Sequence, residues 1–248
     1  MSPSPDGQAD RRTRHSRFDR TVSALGAFAS DLDRTLVAVG DRPSGDARTA
    51  LHEAQSMGLR TVLVSGRRYP DLLPYVRGLR YLDGLVAENG AIVEAPLGSA
   101  PHVFGRSVGA AVRVRLEGVR GLGAEYGEVV VSVLNRHGPQ LRRAVSGLPV
   151  QLVGNVRHVM ALPRGVTKGS GMRRAMALLG VRGRGWAAIG DAENDLDLLA
   201  GAALSGAVAN AEPAVRAAVD YVCRERYGAG VLEFVRGPVT ERLHPAAR

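Results

Sequence analysis

The chain is poor in cysteine, aromatic residues and lysine, and it has no long apolar run. Its one cysteine, Cys223, excludes an internal disulfide framework and indicates a reducing compartment, so we expect the protein to act in the cytoplasm. No stretch approaches about 18 consecutive apolar residues, so the sequence predicts no transmembrane helix. Residues 1–22 hold five arginines and three aspartates but lack the apolar segment of a secretory signal. We expect them to form a disordered basic tail.

Aromatic residues make up only 4% of the 248 residues, while the formal net charge is +9. The positive charge favours anionic ligands in general. Nucleic-acid binding ranks last among the possible functions, because no helix-turn-helix, zinc-finger or aromatic RNA-binding pattern occurs. We interpret the excess charge as a solvated, arginine-rich surface that reflects coding bias, and we expect neither a nucleic acid nor a membrane as partner. The oligomeric state is left open.

Lys168 is the one lysine among 33 lysine and arginine residues, and it lies in the stretch RGVTKGSG at residues 164–171. On a solvated surface the two residue types serve about equally. They differ where a compact, flexible charge must reach a phosphate or a carboxylate. Because chance alone would place the exception at any cationic position, we interpret Lys168 as functional.

Apolar runs alternate with helical patterns along most of the chain, which predicts a parallel α/β sheet. The pattern changes in the middle of the chain, where a helix over residues 109–126 and a few short strands are expected. The predicted fold is a doubly wound, mostly parallel sheet with an inserted small α/β cap. Its expected parts are the first core segment (23–93), the cap (94–160), the second core segment (161–237) and a flexible C-terminal tail (238–248).

Three predicted core strands end in polar residues: DLDRT at 31–35, SGR at 65–67 and GDAEND at 190–195. In open α/β sheets the ligand crevice lies at the carboxyl ends of the strands, so these stretches are expected to meet at one edge. Each alone is as common in a polar turn as in a site, and the order of the three is the signal. Thr167 is a natural helix N-cap, which would bring the next residue, the lone lysine, to the same edge.

The motifs DLDRT, the Ser of SGR, the Lys of VTKG and GDAEND, in this order, resemble the four motifs of the haloacid dehalogenase superfamily of phosphohydrolases. The stretches AENGA (87–91) and AVANAEPAVRAAVDYVC (207–223) resemble its Cof-like branch, which carries an α/β cap of the second class. The short cap is similar to those of archaeal-type phosphoglycolate phosphatases and sugar-phosphate phosphatases. Arg34 departs from the pattern, since the family usually has glycine there, and we expect it to keep a negative φ.

The resemblance implies a Mg²⁺-dependent phosphomonoesterase for a small anionic metabolite of the phosphoglycolate or sugar phosphate class. It implies that Asp31 is the nucleophile that forms an aspartyl-phosphate, that Asp33 is the general acid and base, and that Lys168 offsets the negative charge. The metal ligands would be the carboxylates of Asp31 and Asp191 and the backbone carbonyl of Asp33, with Asp195 orienting metal-bound waters or the lysine. The implied phosphate- and substrate-binding residues are Thr35, Ser65, Gly66, Asn89 and Asn194; for Asn89 the alternative that it only caps the turn into the cap linker stays open.

Two other functions stay open: a phosphosugar mutase, which the same superfamily contains, and a non-catalytic phosphate-binding or regulatory protein. The presence of both motif acids, the lysine and Asp191 argues against the second. Outside the motifs, Arg67 and Arg68 are interpreted as surface charges or partners of acids, and His158 and Trp186 as structural.

Overall fold

The computed structural model describes residues 24–245, so the tail expected at residues 1–22 lies outside the described part. The strands in this part are β1 (Leu25–Asp31), β2 (Arg60–Val64), β3 (Gly84–Ala87), β4 (Ile92–Glu94), β5 (His102–Val103), β6 (Glu125–Tyr126), β7 (Val131–Leu134), β8 (Val150–Gly154), β9 (His158–Pro163), β10 (Gly185–Gly190), β11 (Leu204–Ala207) and β12 (Tyr221–Val222). The α-helices are α1 (Gly45–Ser56), α2 (Tyr69–Gly78), α3 (Arg106–Leu116), α4 (Gly138–Ala144), α5 (Lys168–Leu178), α6 (Leu196–Ala200), α7 (Pro213–Arg216), α8 (Tyr227–Phe234) and α9 (Thr240–Leu243).

The larger sheet, called the core sheet below, has the strand order β12-β11-β10-β1-β2-β3-β4-β5. Its strands from β12 to β3 pair in parallel, whereas β4 and β5 pair antiparallel. All seven residues of β1 are buried, as expected for a strand with helices on both faces of its sheet. This topology confirms the predicted α/β fold with a mostly parallel sheet.

The order of the core sheet reverses between β1 and β10, which are parallel neighbours. On its other side β1 pairs with β2, and Asp31 stands opposite Val64. The carboxyl ends of the three strands therefore lie side by side, and the stretches that follow them begin at one edge. Such a reversal point is where open α/β sheets bind ligands.

The smaller sheet, called the cap sheet, has the strand order β6-β7-β9-β8 with every pair antiparallel. The cap sheet packs with the helices α3 and α4 in an apolar cluster that is separate from the apolar cluster of the core. This cluster includes Val112, Leu116, Val131, Val133, Leu141 and Ala161. The cap sheet thus has enough buried apolar surface to form a second layer over the edge of the core sheet.

The boundaries of the expected parts differ from the structure at both ends of the cap. The strands β4 and β5 extend the core sheet, so it continues past residue 93 to Val103. Glu94 ties this hairpin to α2, because its carboxylate accepts a hydrogen bond of 2.6 Å from the Tyr69 hydroxyl. At the other end, β9 of the cap sheet runs to Pro163 rather than to residue 160.

Two expected segments are wrong in detail. The helix expected over residues 109–126 ends at Leu116, and the chain then turns through Gly121 and Gly123, both of which have positive φ. The tail expected from residue 238 is helical as far as Leu243, because a π-helical turn at Val235–Val239 leads into α9 and the side chain of Val239 is fully buried. Within residues 24–245, no helix is both long and apolar enough to cross a membrane.

Candidate active site

The lone lysine bridges two of the motif acids at the edge of the core sheet. Its Nζ donates a hydrogen bond of 2.6 Å to Oδ1 of Asp31 at the end of β1, and another to Oδ1 of Asp195. The side chain of Lys168 is 2% exposed, and those of the two acids are 5% and 0% exposed. A buried cation requires such partners, because without them it would lose its hydration with no compensation.

The helix N-terminus places this lysine. The Thr167 hydroxyl accepts a hydrogen bond from the Ser170 amide, and the Ser170 hydroxyl accepts one from the Thr167 amide, which is a complete capping box. Lys168 is therefore the first residue of α5, as the sequence predicts.

The acidic turn after β10 is closed by Asp195. Its Oδ2 accepts hydrogen bonds from the backbone amides of Asp191 at 3.0 Å and Ala192 at 3.1 Å. Gly190 makes this closure possible, because a Cβ there would lie 2.7 Å from the Asp195 carboxyl group. The Thr35 hydroxyl donates a hydrogen bond of 2.9 Å to Oδ1 of Asp191, so the first motif and the last hold each other.

The acids of this edge are buried close to one another, and both conditions disfavour their charged forms. Burial raises the pKa of Asp31 well above its ordinary value, and the nearby carboxylates of Asp195 and Asp191 raise it further, against the lowering effect of Lys168. Burial and the charge of Asp195 raise the pKa of Asp191 to about 6. For Lys168, burial lowers the pKa, but Asp195 and Asp31 outweigh it and raise the pKa overall. The cluster therefore carries more negative charge than its cations offset.

This charge pattern fits a divalent cation. Asp31, Asp191 and Asp195 each offer a carboxylate oxygen, and these atoms all lie within 4.8 Å of one another in a buried setting. Carboxylate oxygens are the hard ligands that Mg²⁺ takes in proteins. A bound cation would also offset the negative charge that these three carboxylates share.

Asp33 lies apart from this cluster and is held by Arg67. The guanidinium donates from Nε at 2.7 Å and from Nη2 at 2.6 Å to the two carboxylate oxygens of Asp33. Arg67 itself is positioned by Tyr75, whose ring centroid lies 4.7 Å from the guanidinium carbon. Asp33 and Arg67 both line the cavity described below, so this acid is fixed and open to a ligand at once.

The remaining motif residues form a layer behind the acids. Ser65 is buried, and its hydroxyl accepts a hydrogen bond of 3.2 Å from the Arg67 amide. Asn89 is buried with φ +53° and joins three segments: its amide nitrogen donates to Met160 Sδ at 3.0 Å, and its oxygen accepts from Asn194 at 3.2 Å. Gly66 leaves room for it, since a Cβ there would lie 3.2 Å from the Asn89 amide.

A cavity of about 650 Å³ separates this edge from the cap sheet. The predicted site residues that line it are Asp31, Asp33, Gly66, Lys168, Asp191 and Asn194. The other four, Thr35, Ser65, Asn89 and Asp195, do not line it and contact the residues that do, as described above. The structure thus divides the predicted set into residues that line the cavity and residues that hold those in place.

Arg34 contradicts the expectation of a negative φ. Its φ is +63°, in the left-handed region that is costly for a residue with a Cβ. Its Nε donates a hydrogen bond of 2.8 Å to Oδ2 of Asp191. The sequence identified this position as a departure but gave no sign of the contact, which joins residues 157 positions apart.

Glu88 is a residue whose role the sequence did not reveal. It is fully buried, and its carboxylate accepts hydrogen bonds of 2.8–2.9 Å from three successive cap amides, those of Glu128, Val129 and Val130. Gly127 makes room for it, because a Cβ at that residue would lie 2.6 Å from the carboxyl group. A charged residue directly after the buried strand β3 was the available signal. Glu88 attaches the cap to the core next to Asn89.

The cap wall of the cavity is formed mainly by β9 and the turn before it. Met160 reaches Asn89, so its face of β9 points to the core, and His158 lies two residues away on the same face. His158 is partly exposed and lines the cavity, a position that the sequence did not indicate, and its interpretation as structural stays a prediction. The other cap residues in the wall are Glu125, Ser132, Asn155, Val156 and Arg157.

The turn that carries Arg157 is rigidly built. Asn155 Oδ1 accepts hydrogen bonds from the amides of Arg157 at 3.0 Å and His158 at 2.8 Å. Asn135 supports the turn from behind, with its side chain donating to the Asn155 and Val156 carbonyls. Within residues 24–245 the Arg157 side chain makes no ion pair, which leaves its charge available to a ligand.

Comparisons with known proteins agree with this geometry. A family model described as haloacid dehalogenase-like hydrolase matches residues 28–99 and 155–235. A phosphoglycolate phosphatase of Methanothermobacter thermautotrophicus is 30% identical over 222 residues, which are 86% of this chain and 98% of that protein. Among solved structures, a protein of Thermoplasma acidophilum has a TM-score of 0.73 at 18% identity, covering 86% of this chain and 97% of its own. A sugar phosphatase of HAD subclass IIB has a TM-score of 0.63 at 18% identity, with 80% and 93% covered.

Proposed function

The chain belongs to the haloacid dehalogenase-like hydrolase family and is a phosphatase, and on that premise we propose that it is a Mg²⁺-dependent phosphomonoesterase that works through an aspartyl-phosphate. One observation carries the proposal. Asp31 lies at the end of a buried strand, lines the cavity, and has its carboxylate fixed by Lys168 at 2.6 Å. A carboxylate held in this way is placed to attack a phosphorus atom that enters the cavity.

In the first step an oxygen of Asp31 forms a bond to phosphorus, while the bond from phosphorus to the ester oxygen breaks. Asp33 is a carboxylate in its ion pair with Arg67, so it first takes up a proton in exchange for that pair, and it then gives this proton to the departing alkoxide. In the second step the Asp33 carboxylate takes a proton from water, which attacks the aspartyl-phosphate and releases phosphate and Asp31.

Lys168 offsets negative charge throughout both steps. Its ammonium stays protonated, because Asp31 and Asp195 raise its pKa, and it can donate to a phosphoryl oxygen while keeping its carboxylate partners. The carboxylates of Asp31 and Asp191 would hold Mg²⁺, which supplies further neutralisation of the phosphoryl charge.

The substrate that we propose is a small anionic phosphorylated metabolite, of the phosphoglycolate or sugar phosphate class. The first class is supported by the name of the Methanothermobacter relative, and the second by that of the subclass IIB structure. The cavity volume of about 650 Å³ suits a small molecule. On the cap wall, Arg157 and His158 are placed to contact the part of the substrate that leaves. The buried, unpaired thiol of Cys223 supports the cytoplasm as the compartment.

The test is a panel of phosphate monoesters that includes 2-phosphoglycolate, several sugar phosphates and nucleoside monophosphates, assayed with Mg²⁺ and with a chelator. We expect Mg²⁺-dependent release of phosphate from small acidic or sugar esters and little from nucleotides. Conversion of one phosphosugar isomer to another without release of phosphate would instead identify a mutase. Binding without turnover across the panel would contradict an enzymatic role.

A further inference from the structure

Arg34 contacts Asp191, the one acid of the cluster that Lys168 does not pair with, and its backbone is unusual. Within residues 24–245, four residues other than glycine have positive φ, and Arg34, at +63°, has the highest value among them. Such a conformation persists only where the surroundings hold it in place. The side chain is 32% exposed, whereas its partner Asp191 is 2% exposed.

Asn210 holds Arg34 at two points. Its side-chain amide donates a hydrogen bond of 2.7 Å to the Arg34 carbonyl, and its backbone carbonyl accepts one of 3.2 Å from Nη2 of the arginine. The Asn210 oxygen also accepts a bond of 3.2 Å from the amide of Tyr227, another residue with positive φ. These contacts fix the backbone and the guanidinium together, so Nε is held on the carboxylate rather than free to swing into water.

The arginine changes the charge of the cluster. Among the described residues, two cations pair with the three clustered carboxylates. Lys168 pairs with Asp31 and Asp195, and Arg34 pairs with Asp191. A neutral residue at position 34 would leave three negative charges with a single cation. The affinity of an oxygen-ligand site for a divalent cation rises with the negative charge of its ligands.

We propose that Arg34 sets the metal affinity of the site by sharing the Asp191 carboxylate with the divalent cation. The guanidinium holds this carboxylate in place at all times and weakens the binding of the ion that uses it. The carboxylate is therefore in position before the ion binds. Because binding is weaker, the occupancy of the site still changes with free Mg²⁺ at concentrations that would already saturate the same cluster without the arginine. This inference rests on the metal site of the proposed function.

Metal binding to the purified full-length chain tests the proposal, with Mn²⁺ as a spectroscopic probe followed by electron paramagnetic resonance and Mg²⁺ as its competitor. We expect Arg34→Gln, which removes the charge but keeps a side chain, to tighten Mn²⁺ binding about tenfold. Arg34→Gly should tighten it to a similar extent, and Arg34→Lys should stay near the parent. Arg68→Gln is the matched control, because Arg68 lines the same cavity but pairs with Asp71 outside the cluster. The Mn²⁺ affinity of this variant should equal that of the parent.

The variants separate an effect of the Arg34 charge from an effect of its backbone conformation. Tighter binding in the glycine variant alone would show that relief of the left-handed backbone is responsible, and it would overturn the proposal. Equal or weaker binding in both neutral variants would overturn it as well. Should neither the parent nor any variant bind Mn²⁺, the metal assignment of the proposed function falls together with the inference. Binding by the parent without a change in the variants removes the inference alone. Thermal melts in chelator identify any variant that fails to fold. Arg34→Lys keeps the positive charge and changes only the shape of the side chain, so it still distinguishes the two effects.

Discussion

The core edge and the cap wall of the cavity treat charge in opposite ways. Every charged side chain that the core contributes has a partner of opposite sign: Asp31 with Lys168, Asp33 with Arg67, Asp71 with Arg68 and Asp191 with Arg34. Among the ion pairs of the described residues, none includes Arg157 or Glu125 of the cap wall. The charges of the core edge are therefore paired before any ligand binds, whereas in the proposed function those of the cap would contact the variable part of the substrate.

Two adjacent residues join these regions. Glu88 accepts three cap amides, and Asn89 touches both Met160 of the cap and Asn194 of the core edge. Both have positive φ, at +49° and +53°, so this connection is held by its surroundings. The cap wall is thus set at a fixed position over the acids, and substitutions can address either region separately.

The largest effect is expected from Asp31→Asn. The amide cannot attack phosphorus, so turnover of every substrate, including p-nitrophenyl phosphate, should fall by several orders of magnitude. The fold should persist, since burial already disfavours the charged carboxylate. Asp71→Asn is the control, because Asp71 lines the cavity but pairs with Arg68, and it should keep turnover. Wild-type rates in the Asp31 variant would remove the nucleophile assignment.

Lys168→Arg should come next. It keeps the charge but replaces a slim ammonium between two buried acids by a planar guanidinium, and a shift of about 1 Å in a reacting group can cost around a hundredfold in rate. We expect such a loss in kcat with a normal melt, and a greater loss for Lys168→Ala. Arg173→Lys, on the exposed side of the same helix, makes the reverse exchange and should be silent. An arginine variant with full activity would mean that the lone lysine is accidental.

A smaller and selective effect is expected on the cap wall. Arg157→Gln should lower kcat/KM for 2-phosphoglycolate about tenfold, as expected for loss of one charge-assisted contact. It should leave 2-hydroxyethyl phosphate, which has a hydroxymethyl group in place of the carboxylate, nearly unchanged. The control is Arg142→Gln, an exposed arginine of α4 that does not line the cavity. Equal losses in kcat/KM for the two esters would contradict the assignment of Arg157 to the variable part of the substrate.

The smallest effect concerns stability without metal. Because burial and Asp195 raise the pKa of Asp191 from 3.8 to about 6, the folded state favours the protonated acid. Its contribution to stability therefore falls as pH rises from about 4 to about 6 and stays unfavourable above that. In chelator near neutral pH, Asp191→Asn should melt a few degrees higher than the parent, and the gain should shrink at acid pH. A lower melting temperature for the variant at neutral pH would contradict this account of the charge.

The sequence predicted the core edge well because its residues directly follow buried strands. Asp31, Ser65 and Asp191 come after apolar runs whose parallel pairing brings their ends together, and Thr167 marks the start of the helix that carries the lysine. Local patterns are sufficient there. That these residues perform catalysis stays a prediction.

The cap wall and its attachment could not be read in the same way. The position of His158 depends on the pairing of β9 with β7 and on which face of the cap sheet meets the core, and neither is encoded in its neighbours. The contact of Arg34 with Asp191 and the backbone pocket around Glu88 each join segments far apart in the chain. Long-range packing decides such contacts, so a single sequence shows only that a residue departs from its pattern.

The attack of Asp31 on phosphorus can be observed directly in an Asp33→Asn variant that turns over p-nitrophenyl phosphate with a labelled phosphoryl group. The nitrophenolate leaves without a proton, so the first step proceeds, while loss of the base at Asp33 slows hydrolysis of the intermediate. After an acid quench and peptide mapping, the account predicts label on the peptide that contains Asp31, and none once Asp31→Asn is added. Label on another residue, or steady product formation with Asp31 never labelled, would contradict it.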